Sequence, residues 1–128
     1  MPRFYNPASI RAPFSNYTHG VEVPAGARTV YFSGQLGVDP QGNVPEDFAG
    51  QLRNVYANIE AILKDGGMEL SDLIKMTSFM IRREDIPVAR EIRKEVFGDL
   101  KPAHTLLLIS GLASPEFLIE VEGFACRE

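Results

Sequence analysis

At 128 residues, 45% hydrophobic and 23% charged, the chain suits one globular domain spanning 1–128. A formal net charge of −4 disfavours a nucleic-acid partner, and no apolar run reaches the length of a membrane span. The single cysteine, Cys126, excludes an internal disulfide, and with only two separated histidines no metal-ligand pattern exists. The opening Met1-Pro2-Arg3-Phe4-Tyr5 lacks the apolar stretch of a secretory leader, so cytoplasmic residence is expected.

Residues 1–16, rich in Pro, Ser and Asn, read as an irregular arm holding at most one short strand. Tyr17 to Val23 alternates as a strand does, Pro24 to Ala27 is a turn, and Arg28 to Val38 is a second strand; together they predict a hairpin. Asp39-Pro40-Gln41-Gly42-Asn43 has turn chemistry. Asp47 is placed to cap a helix whose Phe48, Leu52, Val55, Ile59 and Ile62 recur on one face, and Gly66-Gly67 ends it. Leu73 to Ile81 reads as a third long strand. Asp85 and Pro87 open a second helix with Ala89, Ile92, Val96 and Phe97 facing inward, and Gly98 closes it.

Two strands finish the chain. The first carries Leu106 to Ile109 and is entered by Pro102-Ala103-His104-Thr105. The second is an alternating strand carrying Phe117, Ile119, Val121 and Phe124, with Glu120 and Glu122 on the opposite face from Ile119 and Val121. The turn between them, at Gly111 and Ser114-Pro115, predicts that His104 and the glutamates lie near each other. The order β-β-α-β-α-β-β fits an α+β fold, a mixed sheet with both helices on one face. The other face then needs cover, and in so small a chain other subunits are the expected source.

Pro102-Ala103-His104-Thr105 and Ile119-Glu120-Val121-Glu122-Gly123 carry a resemblance. The chain resembles the RidA family, also called YjgF or L-PSP, whose motif is Pro-Ala-Arg-Ser, an apolar strand and Ile-Glu-Ile-Glu-Ala. Ser33-Gly34-Gln35 and Asp72-Leu73-Ile74-Lys75-Met76-Thr77 look like two further family segments, and Tyr17 precedes the first long strand as the family tyrosine does. The resemblance implies a chorismate-mutase-like fold, a homotrimer with clefts between subunits, and no cofactor. It implies hydrolytic deamination of an enamine or imine bearing a carboxylate.

The resemblance also suggests parts for named residues. Glu120 would position the water, since a carboxylate can take a proton from water adding to C=N. Glu122 shares its face and is the second choice. His104 stands where the family arginine holds the substrate carboxylate. As an imidazole it can donate or accept a proton near neutral pH, but it lacks the guanidinium fork. That exchange implies a substrate other than 2-aminoacrylate. Tyr17 and Ser33-Gly34 would shape the pocket. Arg90, where the family has a cleft asparagine, is the candidate to supply the missing guanidinium, with Arg82, Arg83 and Arg93 as competitors. Each also has a plain alternative: Glu120 a solvated strand carboxylate, His104 a hydrogen-bonded strand residue, Tyr17 an interface aromatic, Ser33-Gly34 a bulge, Arg90 a solvent-facing helix arginine. Two other functions stay open. One is a metabolite-binding or regulatory module without catalysis. The other is the endoribonuclease or translation-inhibitor role of some relatives, which the acidic composition disfavours.

Overall fold

In the computed structural model, which describes residues 2–128, the strands are β1 (Arg3–Tyr5), β2 (Gly20–Glu22), β3 (Arg28–Leu36), β4 (Leu73–Met80), β5 (Ala103–Leu108) and β6 (Ile119–Arg127). The helices are α1 (Phe48–Asp65) and α2 (Ile86–Phe97). Both helix starts and stops follow from local chemistry, with one exception. The Asp47 carboxylate accepts the Gly50 N–H at 2.9 Å, satisfying a free donor of the first turn of α1. Gly67, at φ 72°, and Gly98, at φ 56°, supply the left-handed conformation just past the two helices. The exception is Asp85. It sits at the N-cap of α2, but its carboxylate makes no cap bond and instead receives Arg82 through Nε at 2.7 Å and Nη2 at 3.1 Å. Charge-assisted pairing to the forked guanidinium wins over the weaker cap.

Strands β3, β6, β4 and β5 form one mixed sheet in that order, with β4 and β5 parallel and the other neighbours antiparallel. Along β4, Met76, Ser78 and Met80 are buried while Lys75, Thr77 and Phe79 are only half-buried. The first set meets the helices. Leu52, Val55, Ile59 and Leu63 of α1 pack there against Met76, Met80, Ile119 and Val121. The α1 stripe ends on Leu63 rather than Ile62, which is half-buried, because 3.6-residue periodicity drifts across the last two turns. Tyr56 of α1 meets Phe97 of α2 edge-on, ring centroids 5.1 Å apart.

Two expectations fail. Residues 17–23 and 28–38 do not form a hairpin. Thr18 makes a parallel bridge to Ala103, and β2 pairs instead with β1 in a separate two-stranded sheet. The turn at Gly26 thus carries the chain away from its preceding strand, and β3 finds its partner in β6. The last two strands are not neighbours either: β4 lies between β5 and β6. A parallel β4–β5 pair, joined through α2, leaves the central slot between β3 and β4 open for β6.

The segment that carries the chain across β4 to that slot is held by one buried residue. Gln51 of α1 donates through Nε2 to the carbonyls of Pro45 and Glu116, both at 2.8 Å, and accepts the Leu118 N–H at 2.9 Å. Its side chain is fully buried, so each bond is made without competition from water. The helix comes close enough because residue 37 is glycine: a Cβ there would lie 2.5 Å from the Gln51 Cβ. Gln51→Ala should strand two carbonyls and one N–H and cost about 3 kcal/mol, read from the urea midpoint. A loss below about 1 kcal/mol would show that this segment is held by other contacts. No helix among the described residues is long and apolar enough to cross a membrane.

Candidate functional site

His104 is half-buried. On β5 it pairs with Met76 of β4, and so points to the helix-covered face. There its ring lies between two side chains, with Nδ1 2.8 Å from Arg93 Nη1 and Nε2 2.8 Å from Ser78 Oγ. A guanidinium can only donate. Nδ1 is therefore the acceptor, and neutral His104 carries its proton on Nε2 and donates to Ser78. Burial first, then the charges of Arg93 and Lys75, push the imidazole pKa down to about 3.

This has a consequence for stability. An unfolded histidine takes up a proton near 6.5, but folded His104 does so only near 3. Between these values the unfolded chain binds more protons. The stabilisation is full above pH 6.5 and drains as pH falls through that window. By pH 5 the loss should reach about 2 kcal/mol relative to pH 7.5. Urea midpoints at the two pH values should show it in the wild type and much less in His104→Gln. NMR should show His104 untitrated from pH 8 to 5; a midpoint near 6 would refute the buried neutral ring.

Arg93 is the residue that sequence reasoning placed only among competitors. It is 5% exposed. Its Nη2 donates to Ser15 Oγ at 2.9 Å, its Nη1 meets His104, and its Nε has no partner. Burial, with Arg90 nearby, weakens its hold on its proton relative to a free guanidinium. The signal was available: Arg93 lies four residues after Ala89 and four before Phe97, both buried, and so on the inward face of α2.

Arg93 and His104 line a cavity of about 290 Å³ with Arg11, Tyr17, Arg90 and Leu106. Phe14 and Ser15 of the N-terminal arm complete its wall. The Tyr17 hydroxyl accepts from Arg11 Nη1 at 3.0 Å and from the Phe14 N–H at 3.2 Å, and these two donors lower its pKa. The His19 ring braces Tyr17 edge-on and bonds the Arg11 carbonyl at 2.7 Å. Arg11 stacks over Phe14, 3.5 Å from the ring centroid. The arm thus folds back as a wall through cation–π and hydrogen-bond contacts that residue spacing does not encode. Arg90 is exposed on α2 at the cavity's edge.

Glu120, Ser33 and Gly34 lie elsewhere. Glu120 pairs with Leu36 and Phe79, on the face turned from the helices. Its carboxylate has no hydrogen bond or ion pair among the described residues. Ser33-Gly34 is the bulge where the β3–β6 register shifts. A Cβ at Gly34 would collide with the Glu120 carboxylate, so glycine there makes room for that side chain. Ser33 is exposed, and its carbonyl accepts from Gln35 Nε2 at 3.0 Å. Glu122 is exposed on the same open face. Across two strand spacings and three residues, Glu120 and His104 are roughly 14 Å apart at Cα and on opposite faces. The structure brings Tyr17, Arg90 and His104 together, and Glu120, Ser33 and Gly34 together, but keeps the two groups apart within one chain.

A family model described as Endoribonuclease L-PSP matches residues 8–127. A RutC family protein of Pyrococcus horikoshii is 32% identical over 118 residues, covering 91% of this chain and 90% of that protein. TdcF of Escherichia coli, solved with bound serine, is 30% identical and superposes with a TM-score of 0.75 over 91% of each chain. A 2-iminobutanoate/2-iminopropanoate deaminase of Dermatophagoides farinae is 28% identical over 118 residues, covering 91% of this chain and 89% of that protein. The match over nearly the whole length, on the same α+β frame of two helices and a mixed sheet, means that the chain belongs to the RidA/YjgF/L-PSP family.

Proposed function

We propose that this protein hydrolyses small 2-imino or enamine acids to the keto acid and ammonia, in a cleft completed by a second subunit. The observation that carries it is Arg93, a buried guanidinium facing a cavity and paired with no carboxylate. A buried cation without a counter-ion is costly, and a substrate carboxylate would relieve that cost. Tyr17 and Arg90 border the same space, and His104 holds Arg93 by accepting from it, acting as a positioning residue. Deaminase and serine-bound relatives support a small-molecule site.

Hydrolysis needs a base for water; one chain's cavity has no carboxylate, and both ring nitrogens of His104 are engaged by Arg93 and Ser78. Glu120 lies on the open face, where Tyr31 is 75% and Leu107 44% exposed. Those apolar side chains favour burial by other copies of the chain, and the family resemblance supports a trimer as that assembly. Glu120 of the partner subunit would then reach the cavity. It takes a proton from water as the oxygen bonds to the imine carbon and returns it to the nitrogen; the carbinolamine then expels ammonia as its hydroxyl proton passes to the nitrogen, leaving the ketone. A catalytically silent binding role is favoured by one feature, the absence of any carboxylate from the cavity of a single chain.

The test combines sedimentation with an assay in which an amino-acid oxidase generates 2-iminopropanoate or 2-iminobutanoate. A trimer that accelerates ketone release supports the reading. A monomer near 14 kDa would refute the shared cleft, and a trimer inert toward every imine but able to bind carboxylates would favour the binding role.

A further inference from the structure

The cavity holds more positive charge than one carboxylate requires. Arg11, Arg90 and Arg93 all line it, and no aspartate or glutamate does. Of the six arginines elsewhere, three are paired with a carboxylate among the described residues. Arg53 is paired with Glu95, Arg82 with Asp85 and Arg127 with Asp72, each at a site at least 40% exposed on the arginine side. Arg93, the most deeply buried arginine, has no carboxylate partner, and Arg90 has no hydrogen bond or ion pair among the described residues. Arg11 uses one nitrogen on Tyr17 and the Ala12 carbonyl, and its other side-chain donors are uncommitted. In a chain of net charge −4, three guanidiniums around one small cavity make a local concentration of positive charge.

We propose that this cavity binds a small acid carrying two anionic groups, one held by Arg93 at the cavity floor and the other by Arg11 and Arg90 at its edge. The proposal rests on the substrate-cleft reading above and narrows it to the imines of dianionic acids. A monocarboxylate would satisfy Arg93 and leave the like charges of Arg11 and Arg90 on the same cavity unneutralised. A second anionic group neutralises them and gains charge-assisted bonds, and two guanidinium forks can hold it bidentately. At about 290 Å³ the space is at the lower end for ligand sites, which suits an acid of a few carbons. The second group can be a carboxylate or a phosphate, since both match the guanidinium fork.

Calorimetric titration of the full-length protein with butyrate, succinate and phosphoglycolate tests this. At low salt, succinate, phosphoglycolate or both should bind at least tenfold tighter than butyrate, and whichever is tighter identifies the second group. In Arg90→Gln and Arg11→Gln that ratio should fall to threefold or less. Butyrate binding within threefold of both dianions in the wild type would overturn the proposal, whether because Arg93 acts alone or because a carboxylate of a second copy already neutralises the edge. If monocarboxylic imines are hydrolysed in that case, the deaminase reading stands without this one. If no acid binds and no imine is hydrolysed, both fall.

Discussion

His104→Arg, which restores the family's motif residue, should destabilise this chain by about 3–5 kcal/mol. The change puts a second guanidinium beside Arg93 in a site where Arg93 is 5% exposed and no carboxylate is near. It also removes the acceptor that His104 Nδ1 offers to Arg93 Nη1 and leaves Ser78 facing a charge. Like charges in low dielectric repel strongly, and neither can lose its proton near neutral pH. The double variant His104→Arg with Arg93→Asn should recover much of the loss, because one cation then occupies the site alone. A urea-melt double-mutant cycle measures the coupling. If His104→Arg alone melts within about 1 kcal/mol of the wild type, Arg93 is free to swing out and its buried position is not the preferred one.

Glu120→Gln should lower imine hydrolysis by a factor of about 10²–10⁴ if the proposed mechanism holds. The amide keeps the size of the side chain but cannot take a proton from water. Glu120 has no hydrogen bond or ion pair to lose, so the melting midpoint should stay within about 0.5 kcal/mol. Gly34→Ala provides a second approach to the same carboxylate. Its Cβ would occupy the space of the Glu120 carboxyl group, which is the far end of a flexible side chain, so the fold should tolerate the change while the carboxylate moves. Turnover should fall more than tenfold with stability nearly intact. Full activity in Gly34→Ala would mean that the carboxylate position does not matter to the reaction, and full activity in Glu120→Gln would remove it from the mechanism.

Much of this molecule was legible because its signals are local. The Asp47 cap, the apolar stripe of α1, Pro87 in the first turn of α2 and the alternation of Ile119 and Val121 against Glu120 and Glu122 depend on near neighbours, and the structure places each where spacing predicts, whereas Phe124 stacks on Tyr31 on the open face. The motif residues at 102–105 and 119–123 led to the family. The errors share a cause. A turn sequence such as Pro24 to Ala27 indicates that the chain bends but not which strand it meets next, and β2 went to β1. The Gly111 to Pro115 turn likewise gave no hint that β4 would come between the final strands.

The sequence by itself determined the two helices, the main strands and the family, because these follow from backbone periodicity and side-chain chemistry. Only the tertiary structure decided what each polar group meets. Helix α2 brings Arg93 onto His104, and that contact converts a titratable imidazole into a neutral acceptor. The N-terminal arm folds over the same spot to add Arg11 and Tyr17. The placement of β6 puts Glu120 on the opposite face. Partners of this kind are separated by tens of residues, and burial and charge act over a few ångströms in space, so no pattern read along the chain contains them.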